Sequence, residues 1–188
     1  MKQMKKIQKI QKIQMNRDNG GYSLVETLLA TLILLFVTGI VVSCIALGQK
    51  RFDKNVRDSE AQLLAGTLSS LVESELHYAK NVRLSDETDP ENAGNFNYYS
   101  VGKGLGAGCY FTNTDGDSDG RICIYNISDG KYVRLVTEGN YTYDLKAYVQ
   151  IEYNEEDNYF DVNLTVGYDD DGGFVTCMEN DFTVNSSY

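Results

Sequence analysis

The hydrophobic pattern of the chain begins with a long apolar run. From Leu24 to Leu47 there are 24 residues whose only ionisable side chains are those of Glu26 and Cys44. A helix of this length is roughly 36 Å long, which is enough to cross a hydrocarbon core of about 30 Å. The run therefore predicts a membrane-spanning helix with a single carboxyl group near its start.

Beyond Gln49 the pattern becomes one-sided. Apolar residues recur at steps near three and four, which is the period of an amphipathic helix, and no proline intervenes before Pro90. These residues are Ala61, Leu64, Leu68, Leu71, Val72, Ala79 and Val82. The pattern predicts one helix from about Ser23 to Asn81, with its first half apolar on all sides and its second half packed on a globular head.

After residue 85 the period becomes two. Apolar and polar side chains alternate in the stretches 141–153 and 159–168, which is typical of strands with one buried face. The stretches 155–158 and 169–173 are rich in acids, asparagine or glycine and supply hairpin turns. Shorter runs (CYFT, RICIYN, KYVRLVT and GGFVTCM) complete an antiparallel meander. The predicted fold class is α+β, with a long N-terminal helix packed on an antiparallel sheet.

Charge is distributed unevenly along the chain. The first 21 residues hold six basic residues and one acid, whereas the remainder holds 11 basic and 26 acidic residues. An acidic body repels a phosphate backbone, so we expect no direct nucleic-acid binding by this chain. The basic N-terminus favours the cytoplasmic side of a membrane, which places residues beyond about 50 outside.

Three residues stand in a fixed register at the start of the apolar run: Gly21, Tyr22 and Glu26. The arrangement resembles a type IV prepilin, the precursor of type IV pilins and type II secretion pseudopilins. That family has a basic leader ending in glycine, an aromatic first mature residue, and glutamate five residues into the mature chain. Here tyrosine stands where phenylalanine is usual, and the proline often found midway along the family's helix is missing.

The resemblance implies a processing route and a pilin-like, ladle-shaped fold. Prepilin peptidase would cut between Gly21 and Tyr22, and the new amine of Tyr22 would be N-methylated. Glu26 would pair with the terminal amine of a neighbouring subunit and fix the axial register, because an unpaired carboxylate in an apolar bundle is penalised. The implied divisions are a cleaved leader (1–21), a transmembrane and filament-core helix (22–48), the amphipathic half of the same helix (49–84) and a β-rich exported head (85–188).

The implied function is that of a structural subunit, a minor pilin or pseudopilin of a type IV pilus or a type II secretion-like pseudopilus. Its partners would be prepilin peptidase, other pilin or pseudopilin subunits and an inner-membrane assembly platform with its ATPase. It would first be a single-pass protein of the cytoplasmic membrane with an exported C-terminal head, and then part of a cell-surface filament. The sequence has no G-x-S-x-G or HExxH motif, so we expect no enzyme.

A second interpretation takes residues 41–44, VVSC, as a lipoprotein signal in which Cys44 is lipidated after cleavage. The chain would then be a lipid-anchored extracellular binding protein, or a plainly membrane-anchored one if it is not cut. Glu26 fits this interpretation less well, because it would fall inside the apolar part of the signal.

An acidic stretch in the predicted head places Asp115, Asp117 and Asp119 two residues apart, followed by Gly120. This spacing matches the first half of an EF-hand-like calcium loop, in which alternate carboxylates converge on one ion. The twelfth position, however, is Asn126 where a glutamate is expected. Two interpretations stand, a calcium site and an acidic hairpin turn. The sequence indicates no required cofactor, and calcium is the one candidate ion.

Three cysteines, Cys109, Cys123 and Cys177, lie in the predicted head. An exported domain permits a disulfide, and three cysteines allow three single pairings. If the acidic stretch closes a hairpin centred near Gly116, Cys109 and Cys123 lie opposite each other. We therefore favour a bond between these two.

Overall fold

The structure is a computed structural model that describes residues 23–85, 92–100 and 107–186. The predictions for the leader, Gly21 and Tyr22 lie outside the described residues. The chain divides into two compact units, Met1–Phe52 and Asp53–Tyr188, and each is described by itself.

In the first unit the described residues form the beginning of one long helix, α1 (Leu24–His77). The carbonyl of Ser23 accepts hydrogen bonds from the N–H groups of Glu26 (2.8 Å) and Thr27 (3.1 Å), which starts the helical ladder. Every described residue up to Phe52 is exposed. Within the part of the chain that the structure describes, α1 is the one helix long and apolar enough to cross a membrane.

In the second unit α1 becomes one-sided, as the sequence predicts. Its buried residues recur at steps of three and four: Ala61, Leu64, Ala65, Leu68, Val72, Glu75 and Leu76. The apolar residues of this set belong to the same hydrophobic core as the buried side chains of the strands. The α+β prediction is therefore confirmed.

The helix is shorter than predicted. It ends at His77, whereas the hydrophobic pattern predicted a helix to about Asn81 and an amphipathic half that reached residue 84. Asn81 takes a left-handed backbone conformation with φ of 51°, which an α-helix does not accommodate. The residues Lys80–Leu84 instead form the first strand of the head.

The head contains two antiparallel sheets rather than the single meander that was predicted. The five-stranded sheet has its strands in chain order: β1 (Lys80–Leu84), β2 (Phe96–Tyr99), β3 (Ala107–Thr114), β4 (Asp119–Asn126) and β5 (Lys131–Arg134). The three-stranded sheet consists of β6 (Leu145–Asn154), β7 (Tyr159–Asp170) and β8 (Gly173–Asn185). Two short 3-10 turns, Glu138–Asn140 and Thr142–Asp144, lie between the sheets in sequence.

The second sheet follows the period-two pattern closely. In β6 the side chains of Leu145, Ala147, Val149 and Ile151 are buried, and the residues between them face outward. The pattern fails only at its start, because Tyr141 lies between the two 3-10 turns and Tyr143 lies in the second one, so neither is part of the strand. Tyr143 has a φ of 56°, which an extended strand does not allow.

Hydrogen bonds from asparagine side chains and from backbone outside the strands join the two sheets. The Asn113 amide of β3 donates to the Val149 carbonyl (3.0 Å) and accepts from the Val149 N–H (2.7 Å), which imitates a strand partner. The Ile151 N–H donates to the Ala93 carbonyl (2.9 Å), and the Tyr153 N–H donates to Oδ1 of Asn95 (3.0 Å). The outer edge of β6 is thus closed against further strand pairing.

Shortening a buried side chain of α1 should destabilise the head. Leu68 is fully buried, so Leu68→Ala should lower the free energy of unfolding by about 2 to 5 kcal/mol through lost burial and a residual cavity. Leu63→Ala on the same helix is the matched control, because Leu63 is 67% exposed and its loss should change the value by less than about 0.5 kcal/mol. Urea unfolding of the full chain in detergent, followed by tyrosine fluorescence, measures both. Equal effects of the two variants would contradict the packing described here.

Candidate assembly helix and head clusters

The first half of α1 presents an apolar surface to its surroundings on every side. Fifteen large apolar side chains between Leu24 and Leu47 are 50 to 77% exposed. Exposed apolar area of this extent is unfavourable in water and marks a surface made for lipid or for other proteins.

Hydroxyl groups in this segment do not break its apolar character. The side chains of Thr27, Thr31, Thr38 and Ser43 each donate to a backbone carbonyl three or four residues earlier, at 2.8 to 3.2 Å. Their polar hydrogens are therefore satisfied inside the helix, which lets such residues sit in hydrocarbon at little cost.

Glu26 is the exception. It lies in the first turn of α1 with an exposed side chain, where the positive end of the helix dipole favours a negative charge. No other Asp, Glu, Lys or Arg occurs from Leu24 to Leu47. The structure thus places one charge at one end of an apolar surface, and the Gly21–Tyr22 junction before it lies outside the described residues.

The acidic stretch forms the turn between β3 and β4, with Thr114 paired to Asp119. Oδ1 of Asp115 accepts the N–H groups of Asp117 (3.0 Å) and Ser118 (2.7 Å), so this carboxylate shapes its own turn. Its Oδ2 accepts from the Arg134 guanidinium, with Nε at 2.8 Å and Nη2 at 2.5 Å. A protein cation therefore already neutralises Asp115.

The pKa of Asp115 reflects these contacts. Burial of the side chain alone would raise the pKa, but the N–H groups of Ser118 and Asp117 and the charge of Arg134 outweigh burial and hold it below 3.8. The Asp115 carboxylate therefore stays ionised at any physiological pH.

The other two acids do not join Asp115 around one point. Asp119 accepts a hydrogen bond from the Tyr148 hydroxyl on β6 (2.9 Å), whereas Asp117 is exposed at the turn. The described residues contain no group of three or more His, Cys, Asp or Glu side chains that could hold a metal ion. The arrangement matches the hairpin-turn interpretation and not the calcium loop, because Asp115 and Asp119 bind different partners and Asp117 is exposed.

Gly120 is needed for a reason other than calcium. Its φ is 74°, and a Cβ atom there would lie 2.6 Å from Cβ of Lys146 on β6. Close approach of β4 to β6 and a left-handed backbone thus both require glycine at this position.

The predicted disulfide is not formed, and the register explains why. Cys109 lies opposite Asn126, and Cys123 lies opposite Thr112, so the two cysteines are offset by three residues. An odd offset puts the side chains on opposite faces of the sheet. None of the three cysteines of the head forms a disulfide within the described residues.

These thiols are poor nucleophiles. Burial raises the pKa of Cys123 to about 12. Burial also raises the pKa of Cys109, although the Ser100 N–H counters the effect in part. Because the thiolate is the reactive form, neither side chain is activated for chemistry.

A buried polar cluster lies near the end of α1 and was not predicted from the sequence. Glu75 is 7% exposed, and its Oε1 accepts a hydrogen bond from the Ser100 hydroxyl. Tyr98 is adjacent, and burial followed by the Glu75 charge raises the pKa of its hydroxyl well above 10.0. The cluster ties the last turns of the helix to β2. The signal was present in the sequence, because Glu75 falls on the buried stripe three residues after Val72.

Comparison of the chain with protein-family models, with curated proteins and with solved structures found no match.

Removing the cation beside Asp115 should shift the titration of that carboxyl group. Arg134→Gln should raise the pKa of Asp115, read by carboxyl carbon NMR during an acid titration. Because the folded-state pKa lies below 3.8, the stability from this contact is full above that pH and is lost as the pH falls through the folded-state value.

Lys131→Gln is the control for this titration. Lys131 starts the same strand, and none of the ion pairs in the described residues involves it with Asp115. An unchanged pKa of Asp115 in Arg134→Gln would show that the turn N–H groups hold it alone.

Proposed function

We propose that this chain is a structural subunit of a type IV pilus-like or type II secretion-like filament, assembled through the first half of α1. The observation that carries the proposal is the exposed apolar surface from Leu24 to Leu47 with one carboxylate, Glu26, in its first turn. The same helix continues into a one-sided stripe that belongs to the core of a β-rich head. A helix of this kind can exchange lipid for other helices while its head stays folded.

The proposed mechanism begins in the membrane. Prepilin peptidase removes the leader after Gly21, and the amine of Tyr22 becomes the new N-terminus. Copies are then drawn from the bilayer by an assembly platform and its ATPase, and their apolar helices gather into a common core. Helix packing replaces lipid contacts, so the exchange leaves little apolar surface in water.

Glu26 supplies the register in this proposal. A carboxylate inside an apolar bundle costs several kcal/mol if it has no partner, whereas pairing with a neighbouring terminal amine offsets much of that cost. Subunits shifted along the axis would leave both charges unpaired. The ion pair therefore selects one spacing among many that the apolar surface alone would tolerate.

The mass of the mature chain tests the processing step. Chains isolated from membranes should begin at Tyr22 and carry one added methyl group on the N-terminal amine, as measured by intact mass and N-terminal peptide sequencing. Gly21→Val should leave the leader in place, because a branched side chain blocks the cleavage position.

Two other results would each favour the anchored binding protein instead. A lipidated chain that begins at Cys44 would indicate a lipoprotein. A wild-type chain that remains uncut would indicate a plain membrane anchor.

Removing the carboxylate tests the assembly step. Glu26→Ala should be processed normally but should be lost from sheared filaments, because the register ion pair is gone. Glu73→Ala is the matched control, since Glu73 is an exposed acid elsewhere on α1. Immunoblots of sheared and membrane fractions separate the two. Normal incorporation of Glu26→Ala would refute the register role.

A further inference from the structure

The outer face of the three-stranded sheet concentrates acidic side chains. Glu152 on β6, Asp161 on β7 and Asp181 on β8 are all exposed, and we call these three residues the acidic face. They border an open groove with a volume of about 540 Å³. The alternate residues of these strands, such as Ile151 and Val162, are buried on the opposite side.

The register places like charges directly against each other. Glu152 lies opposite Asp161 in the β6–β7 ladder. Like charges at directly opposite positions destabilise an antiparallel pair. None of the ion pairs in the described residues neutralises either carboxylate. The head therefore carries a repulsion that its own fold does not relieve.

The remaining acids on this face are partly covered. The Asn163 amide donates to Oδ1 of Asp181 (2.6 Å) and to Oε1 of Glu179 (3.1 Å). This amide stabilises the two carboxylates of β8 by hydrogen bonding, but it is neutral and does not cancel their negative charge. The face as a whole remains suited to a cationic partner.

A matching set of cations lies on α1. Lys50, Arg51 and Lys54 are exposed, and their spacing puts them on one side of the helix. We call these three residues the basic segment. Asp53 is the one acid among them. The described residues form no ion pair with any of the three.

Arg57, on the same helix, contrasts with the basic segment because it contacts a residue of its own head. Its guanidinium lies 4.0 Å from the centre of the Tyr168 ring, so it is engaged by its own head. The basic segment has no such contact among the described cation and ring pairs. The chain therefore holds an acidic set and a basic set on different elements, and neither set takes part in an ion pair of the described residues.

We propose that the acidic face of one copy binds the basic segment of a second copy. The contact joins two different surfaces, so it is heterologous and builds a ring or an open chain of subunits rather than a closed pair, and the proposed filament corresponds to the open chain. The inference deepens the proposed function and rests on it for the setting in which copies meet. It adds a second contact that orients the heads, beyond the Glu26 pair.

Electrostatic contacts of this type act on specificity and orientation more than on affinity. They are exposed to solvent, so salt weakens them over a screening length of about 8 to 10 Å. The contact should therefore select how neighbouring heads face one another, while the apolar helices supply most of the association energy.

Carbodiimide cross-linking tests the contact directly. Full-length chains labelled with nitrogen-15 and unlabelled chains are co-assembled and treated with a zero-length carboxyl-to-amine reagent. Mixed-isotope peptides that join Lys50 or Lys54 to Glu152, Asp161 or Asp181 would support the proposal, because only contacts between copies mix isotopes. Cross-links confined to single-isotope peptides would overturn it.

Reversing the charge of each surface provides a second test of the contact. Reversal of the acidic face (Glu152→Lys, Asp161→Lys, Asp181→Lys) should reduce the yield of assembled copies by at least about tenfold, because like charges then meet. Reversal of the basic segment (Lys50→Glu, Arg51→Glu, Lys54→Glu) should do the same. A chain that carries both reversals should recover assembly, since the attraction is restored with opposite signs.

A matched control lies at the turn between β6 and β7. Reversal of Glu155, Glu156 and Asp157 changes the same number of exposed acids by the same charge and should leave assembly unchanged. Equal loss in this control would show a general charge effect and would overturn the proposal. Failure of the double reversal to recover assembly would do so as well, and would suit a basic segment that serves lipid head groups.

A single neutral change separates interaction from folding. Asp161→Asn removes the repulsion with Glu152, so the head should be at least as stable to urea while assembly falls. A variant that is both less stable and less assembled would point to a structural role and against the proposal.

The outcomes for the two proposals are distinct. Mixed-isotope cross-links without any filament would retain this contact and reject the filament function. Filaments that form normally with both surfaces reversed separately would retain the filament function and reject this contact.

Discussion

The exposed apolar surface at the start of α1 is the feature that most constrains the rest of the molecule. Each large apolar side chain left in water costs about 1.5 to 3 kcal/mol relative to full burial. Fifteen such side chains between Leu24 and Leu47 represent more free energy than the roughly 5 to 15 kcal/mol that hold a typical domain together. Additional stability in the head could not offset the cost of leaving this surface in water. The segment needs lipid or other helices, and the head must carry a core of its own.

An apolar surface allows the helix to pack in lipid or against other helices, but it does not define the axial position of one helix relative to the next. Leucine, isoleucine and valine pack against neighbours in many axial offsets with similar energy, and the hydroxyls of Thr27, Thr31 and Thr38 are already used inside the helix. In the assembly that we propose, the axial position of one helix relative to the next would then come from the few polar groups that the helix itself does not satisfy. Glu26 is the charged group of that kind in the segment, which gives one carboxylate an influence out of proportion to its share of the surface.

The elements that depend on short-range pattern could be predicted from the sequence. The apolar run, the stripe through Leu64 and Leu68, and the alternation through β6 and β7 all follow from the position of each residue relative to its near neighbours. The predictions that were wrong depend on the register between strands. The Cys109–Cys123 pair was inferred from a turn centred on Gly116, whereas Thr114 pairs with Asp119, so the turn is centred between Gly116 and Asp117 and the two thiols fall on opposite faces. An irregularity between Thr112 and Thr114 moves them further out of register. Likewise, the acids of the β3–β4 turn look like a calcium loop in sequence, and only the fold brings Arg134 to Asp115.

Charge limits how copies of this chain can approach one another. After residue 21 the chain holds 11 basic and 26 acidic residues, a net charge of −15, so two heads brought face to face repel over short distances. Several of the cations within the head are already committed, with Arg121 and Arg134 on Glu138 and Lys146 on Asp169. The uncommitted cations of the basic segment lie on the helix instead. A helix-to-head approach therefore costs less electrostatic work than a head-to-head approach, and an arrangement in which each head meets its neighbour's helix extends naturally along one axis. In the filament that we propose, the same charge distribution that keeps isolated heads apart would favour an ordered arrangement of heads along the helices.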